Sequence, residues 1–376
     1  MRLLLLSGAG KLRVGEWEEI LALEDHLTDF REAGGQRWED LILSAKAASL
    51  YSGTKVDEMT VVRLFGILMT NSFTMVSATF DPLGVALDPF AARMNHACEY
   101  NATVRFREGR FIDVVPLRSI GAGEEVTVSY VDEAMPVKER KEELGERYLF
   151  TCQCGKCVRE EGTLAKPRSM NVQTAYNEAV SLLGSLHPDI KDLISTLRSL
   201  QKDGFTLTEY PMPSLRQTLI TTYLSVNQYN HALIHALFQY LKLDPILYPV
   251  AHHPLRLVHV WLCVRIMDNI ISSDTQAKDD LDLRPFSIDL DFLRHAVMLS
   301  LYRTVHLVPE GEFSRMVERC YEAGKGEWIV GNEVKFRSAE EATVVYQKQF
   351  TEETTLKTKW ESVQRVIDEV LEKERR

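Results

Sequence analysis

The segment Cys152-Gln153-Cys154-Gly155-Lys156-Cys157 packs three of the chain's six cysteines into a C-x-C-x-x-C cluster. No other stretch restricts the fold so sharply. Incidental buried thiols are the bland alternative, but they do not account for three thiols at this spacing with a fourth beside an Asn-His pair. A structural zinc site takes four tetrahedral ligands, typically Cys thiolates, so the cluster is one short. Cys98, in Asn95-His96-Ala97-Cys98, is the obvious fourth. The chain then has to fold back so that Asn95 and His96 lie beside the knot. Metal bound there supplies folding energy locally, not chemistry.

The rest of the composition is that of an ordinary globular chain. Its 376 residues allow two or three domains and a substantial core, with 45% apolar and 26% charged residues. The net charge of −10, from 54 acidic against 44 basic side chains, argues against a broad non-specific grip on DNA phosphates. Met1 to Leu6 is too short an apolar run for a signal peptide or a membrane span, so no membrane partner is expected. Six cysteines with three in one cluster do not make a secreted disulfide framework. A reducing compartment is expected, cytoplasmic, nuclear or both.

Apolar residues recur at helical spacing from Trp17 to Tyr51, at Ile20, Leu21, Leu23 and Leu27 and then at Leu41, Ile42 and Ala45, with a break at Gly34-Gly35. Val61 to Met69 predicts a further helix toward Asn71. Between Phe80 and Tyr130 the texture changes. Val104 to Phe106 and Phe111 to Val115 read as a hairpin around Glu108-Gly109, and Val126 to Tyr130 as a strand. A polar linker is expected from Arg159 to Ser169, and everything beyond it reads as helical. Gln228 to Ala232, with Ala236 and Tyr240, is similar to one tetratricopeptide-like helical hairpin. Tyr176 to Ala179 is a fainter echo. The two tyrosines lie 53 positions apart, not the roughly 34 of a regular array, so a helical superstructure is expected and not a clean repeat. Glu352 to Arg376 reads as a charged helix with a solvated face or a frayed end.

Three motifs now stand in order: Asn95-His96-Ala97-Cys98, Gly123-Glu124-Glu125-Val126-Thr127-Val128-Ser129-Tyr130, and Tyr148-Leu149-Phe150-Thr151-Cys152. They resemble the N-H-S-C, G-E-E-[LVI]-T-x-S-Y and Y-x-F-x-C motifs of SET-domain protein lysine methyltransferases, most of all the SMYD (SET and MYND) branch. Asn71-Ser72-Phe73-Thr74 is similar to the N-S-F-T of that branch, and Glu16-Trp17 with Glu39-Asp40 fits its helical insert. The matches run from about Glu16 to Cys157. Their specificity lies in the shared order, since none alone would suffice.

The resemblance implies an α+β fold: a helical SET insert over residues 1–70, a SET β core over 71–135, a post-SET zinc knot over 136–158, and an all-helical tetratricopeptide-like C-terminal domain over 170–376. It implies S-adenosylmethionine as methyl donor and a lysine on a protein, histone or not, as acceptor. Tyr130 would be the catalytic residue, facing the transferred methyl. Asn71, Asn95, His96, Tyr130 and Phe150 would hold the cofactor, and Tyr148 and Phe90 would line the lysine channel. Cys98, Cys152, Cys154 and Cys157 would hold one zinc. The attacking amine must be neutral, so the channel must be narrow and able to desolvate it. No covalent protein intermediate is needed, and catalysis reduces to alignment and electrostatics.

Some positions depart from the family. Ala97 replaces its serine, and Tyr100 stands where a proline is usual. No cysteine precedes Cys98, so these residues carry no MYND pattern. Gly8-Ala9-Gly10 sits on the wrong side of that module to serve as the family's cofactor-wrapping G-x-G, and it lacks the G-x-x-x-x-G-K spacing of a P-loop. The expectation for the chain as written is a pocket short of one wall and impaired catalysis. The rival reading, from a different class, is a non-catalytic SET-derived scaffold that binds protein partners through its helical domain. His252-His253-Pro254 reads as a surface turn, and Cys263 and Cys320 as buried small hydrophobes.

Overall fold

A computed structural model describes residues 2–107, 111–163, 170–272, 281, 283, 288–332 and 338–375. The chain divides into two compact units, residues 1–165 and 166–376.

The first unit begins with helices at Arg2–Gly8 (α1), Glu16–Leu21 (α2), Leu27–Ala33 (α3), Gly35–Ser52 (α4) and Glu58–Asn71 (α5). The apolar spacing that predicts α4 and α5 is the spacing that is buried. Leu41, Ala45 and Ala48 of α4 meet Val61, Val62 and Leu64 of α5 in one core with Leu4, Ile20 and Phe30. Asp57 caps α5 by accepting the Thr60 N–H at 3.0 Å. The break expected at Gly34 is present, but a second falls earlier, between α2 and α3. There Arg63 of α5 pairs with Asp25 at 2.9 Å and donates to the Leu21 carbonyl at 3.0 Å, while the Asn71 amide donates to the Glu24 carbonyl at 2.9 Å.

That loop lies so close to α5 that only glycine fits at position 66. A Cβ there would sit 2.2 Å from the Asp25 carbonyl oxygen and 3.1 Å from Leu27 Cδ2. In a helix interior alanine is ordinarily favoured over glycine by about 1 kcal/mol. Gly66→Ala should nevertheless destabilise this unit by about 1–3 kcal/mol, since backbone must move to admit the methyl. Thermal denaturation checks this, and an unchanged or raised midpoint would contradict it.

After α5 come three two-stranded pairings among the described residues. Phe73–Val76 (β1) and Pro82–Ala86 (β2) form an antiparallel hairpin. Asn95–His96 (β3) runs parallel to Thr127–Val128 (β6). Ala102–Arg107 (β4) and Phe111–Pro116 (β5) form the expected hairpin, whose Glu108-Gly109 turn lies outside the described residues. The strand expected over Val126–Tyr130 shrinks to Thr127–Val128, and side chains take backbone N–H groups in it and just after it. The Thr127 N–H goes to Asn101 Oδ1 at 2.9 Å and the Tyr130 N–H to His96 Nδ1 at 3.0 Å. Helices Val137–Tyr148 (α6) and Gly155–Thr163 (α7) close the unit. The first part of the expected linker, from Arg159 to Thr163, is therefore helical, and residues 164–169 lie outside the described residues.

The second unit is helical among its described residues: Met170–Leu183 (α8), Ile190–Lys202 (α9), Met212–Ser225 (α10), Tyr229–Phe238 (α11), Asp244–Leu247 (α12), Pro254–Ser272 (α13), Leu290–Val305 (α14), Glu312–Gly331 (α15), Ala339–Gln349 (α16) and Glu353–Arg375 (α17). Long helices pack mainly on their neighbours in sequence, and α17 returns to α11. The charged helix expected over Glu352–Arg376 is present as α17 with a solvated face, but its opposite face is core. Val363, Val366, Ile367, Val370 and Leu371 are buried at helical spacing, and its charges occupy the other face. The expected surface turn at His252-His253 is also corrected. His253 is buried and stacks on Tyr248 at 4.6 Å. Cys263 is fully buried, whereas Cys320 is half-buried. No helix among the described residues is long and apolar enough to cross a membrane.

Candidate metal centre and aromatic site

Leu149, which ends α6, is in the left-handed region at φ 62°. That reversal sends consecutive side chains to different cores. Leu149 packs against the insert core of α1–α5, while Tyr148 and Phe150 pack with Tyr130 and the cysteines. Arg37 of α4 holds the reversal from outside, donating to the carbonyls of Glu146 and, at 3.1 Å, Arg147. These are among the orphan acceptors of a helix C-terminus. Arg37→Ala should cost about 1–2 kcal/mol and speed hydrogen exchange in the last turn of α6. Unchanged exchange there would show that the cap carries no weight.

Beyond Phe150 the cysteines converge. The Sγ atoms of Cys98, Cys152, Cys154 and Cys157 all lie within 4.8 Å of one another. Cys98 and Cys157 are 3.5 Å apart, far longer than a disulfide bond of about 2.05 Å. It is close to the roughly 3.8 Å edge of a tetrahedron with 2.3 Å Zn–S bonds. Cys98, Cys152 and Cys157 are buried and Cys154 half-buried. Burial pushes the Cys98 and Cys152 thiols up. It also opposes ionisation of Cys154, but the backbone N–H groups of Cys157 and Cys98 and the adjoining thiols outweigh it and bring that group down to about 7. Four clustered sulfurs, three of them on buried residues, fit a soft divalent cation, and zinc before the harder ions that prefer oxygen.

His96 joins this cluster to Tyr130. Its Nδ1 lies 3.0 Å from the Tyr130 N–H and its Nε2 lies 3.3 Å from Cys98 Sγ. A backbone N–H can only donate, so Nδ1 accepts and Nε2 carries the proton that faces the sulfur. Burial first, and the Arg140 charge second, lower the ring to about 4, which keeps it neutral at physiological pH. With both nitrogens engaged internally, His96 offers a ligand its backbone and its ring face.

Tyr130 sits at the centre of an aromatic group. Its ring centroid is 4.8 Å from Tyr148, 5.4 Å from His96 and 6.3 Å from Phe150, the last edge-on. Its hydroxyl donates to the Met94 carbonyl. Burial, then Tyr148 and Glu125, push the phenol up to about 12, so it is a neutral hydroxyl at working pH. Of the expected site residues, His96, Tyr130, Tyr148 and Phe150 thus stand together with the four cysteines. Asn95 is exposed, its amide donating to Glu125 at 2.6 Å. The Asn71 amide is held by the Glu24 and Ile67 carbonyls. Phe90 is 76% exposed, and among the described residues no ring contact joins it to the Tyr130 group.

Two contributors carry no motif. Asn101, 2% exposed, accepts from the Thr127 N–H and donates to the Glu125 carbonyl at 2.8 Å and to Glu124 at 3.2 Å. It acts as a substitute strand partner for the segment that leads to Tyr130. Arg140 is buried beside the cysteines. An Asn just before a β run and an Arg within a charged helix look unremarkable in sequence, and only burial distinguishes them.

Residues 14–131 match the family described as the SET domain. That stretch, which holds the three strand pairings and Tyr130, is therefore similar to a SET domain. A fission yeast (Schizosaccharomyces pombe) relative named "SET domain and MYND-type zinc finger protein 6" is 29% identical over 213 residues, 57% of this chain and 42% of that protein. The human "N-lysine methyltransferase SMYD2" is 32% identical over 153 residues, 40% of this chain and 35% of its own length. The chicken protein of the same name is 36% identical over 105 residues, 28% of this chain and 24% of its own length. Over the stretches these comparisons cover, the chain is SMYD-like. Its matches span about two fifths or less of these curated relatives.

Proposed function

We propose that this chain takes part in S-adenosylmethionine-dependent N-methylation of a lysine side chain on a protein, with one structural zinc held by Cys98, Cys152, Cys154 and Cys157. The observation that carries the reading is the closed aromatic group in which Tyr148 packs on Tyr130 at 4.8 Å, beside the thiol cluster. The cofactor, when bound, supplies an electrophilic methyl on a sulfonium; everything else falls to the chain.

Tyr130 and Tyr148 form the wall of the lysine channel. Aromatic faces accept an alkyl stem and a cationic head, and a dry wall favours the neutral amine, the form with a lone pair. Tyr130 is neutral and fixed through Met94 O, so its oxygen lies at a set place with no anion to desolvate. Phe150, the Asn95-His96 backbone and Asn71 are the cofactor side of this assignment. Cys152, Cys154 and Cys157 would hold a zinc together with Cys98, which would tie the Phe150 segment to the Asn95–Cys98 loop and keep the two sides in register. Reduced thiols throughout suit a cytoplasmic or nuclear setting.

Calorimetric titration with S-adenosylmethionine, and separately with its demethylated product, tests the reading. Saturable heat near one ligand per chain is expected. A flat trace for both would overturn it and favour the scaffold.

A further inference from the structure

Arg140 is 1% exposed and stands among the largest fully buried side chains of the chain. It lies on α6, away from the cysteine motif, and neither the aromatic group nor the proposed methyl transfer uses it. Its Nη2 points at Cys157 Sγ from 3.8 Å and meets Glu160 Oε2 at 2.5 Å, and Nη1 donates to the Met135 carbonyl. A buried guanidinium is costly unless something anionic repays the lost water. Glu160 is a partner but only a partial account of it, because its side chain is 36% exposed and still reached by solvent. The same Nη2 also faces the sulfur cluster, through Cys157.

We propose that Arg140 is the charge-compensating group of the metal centre, holding the four-thiolate zinc site in place by its positive charge and by an N–H donated to Cys157. Four thiolates around a divalent cation leave two net negative charges in a largely buried pocket, where screening by water is weak. A cation fixed at the rim lowers the cost of gathering those charges, and a donated N–H disperses charge from the sulfur that accepts it. Arg suits the place better than Lys. It stays charged when buried and its fork reaches the sulfur, a carboxylate and a carbonyl at once. Cys157 lies near the start of α7 and Glu160 one turn further along it, so one guanidinium fixes sulfur and helix together. Groups behind metal ligands ordinarily change metal affinity by about 10- to 100-fold.

The inference rests on zinc being the resident metal. Elemental analysis of the wild-type chain tests that separately: a zinc-free chain would sink the metal reading itself. For Arg140 the measurement is the zinc dissociation constant of the full chain, by competition with a chromophoric chelator, for wild type, Arg140→Met and Glu160→Gln. Arg140→Met, which keeps the apolar stem and removes the charge, should weaken zinc by roughly 10- to 100-fold. Glu160→Gln removes the competing carboxylate but leaves the guanidinium to the sulfurs, and should hold zinc as tightly as wild type or more so. Unchanged affinity in a folded Arg140→Met chain would overturn the proposal. A tenfold or greater loss in Glu160→Gln would overturn it too, even if Arg140→Met does not fold, because it would mean that the α6–α7 ion pair matters and not the charge beside the thiolates.

Discussion

Cys157→Ser should release the metal and unfold the end of the first unit while leaving its helical insert standing. Cys157 is fully buried, 3.5 Å from Cys98, and lies near the start of α7. A serine hydroxyl is a poor zinc ligand, and three thiols do not close a tetrahedral structural site. Structural zinc contributes on the order of 10 kcal/mol at neutral pH, so its loss should outweigh any other single change in this region. The damage should be regional. Tyr130, Tyr148 and Phe150 share their core with the cysteines, whereas α1–α5 have their own. A chain of two compact units need not melt in one step, so peptide-resolved hydrogen exchange is the right measurement, with elemental analysis beside it. Zinc should fall from one per chain to near zero, and exchange should rise over residues 148–163 while α4 and α5 stay protected. Retained zinc, or protection unchanged around Phe150, would contradict this.

Tyr130→Phe should lower methyl transfer by roughly 10²–10³-fold, the range seen when one oriented polar contact is removed from a preorganised site. The ring stays, so the packing on Tyr148 at 4.8 Å and most cofactor affinity should stay with it. Loss of the hydroxyl also removes the bond to the Met94 carbonyl, at a cost of about 1 kcal/mol in stability. That carbonyl precedes the Asn95-His96 pair, so some of the effect should pass through loop position. Single-turnover rates against calorimetric affinity separate the two; a rate equal to wild type at equal affinity would remove the phenol oxygen from the machinery. The pH dependence has a definite sign. The native phenol is raised from its ordinary 10 to about 12, so the protonated form is the one the fold favours. Its stabilising contribution is complete below pH 10 and is lost as pH climbs toward about 12.

The thiol cluster was legible because three of its four members are neighbours in sequence. Three thiols in six positions announce a site, and only the fourth must come from elsewhere. The helical insert was legible for a related reason, since Leu41, Ala45 and Val61 are apolar at helical spacing and are also the residues that are buried. What failed to show depends on partners far along the chain. The strand at Val126–Tyr130 looks like five residues of ladder, yet Asn101 takes the Thr127 N–H and His96 the Tyr130 N–H beyond the strand's end. Composition made α17 look solvated, because its charges outnumber its apolar residues and the eye weighs number over placement. Arg140 reads as one more basic residue in V-K-E-R-K-E-E, and nothing but three-dimensional burial separates it from the lysines beside it. Phe90 shows how little a neighbouring motif says about burial. An aromatic near a motif invites a role in the channel, but its ring faces solvent.

Leu149 carries a consequence for how substitutions far from the aromatic group would register. It stands in a left-handed backbone between Tyr148 and Phe150, with its own side chain seated among the insert helices. The two rings beside it are therefore the short arms of a lever whose long arm is the insert core. A repacking near Leu41 or Val61 that shifts Leu149 by a fraction of an ångström must be taken up by two adjacent residues, because no flexible spacer intervenes. Alignment tolerances in such chemistry are of similar size. Drift in the insert, harmless to folding, would then surface at the aromatic group, and the helical core becomes a place where selection can adjust the site without touching a residue of it.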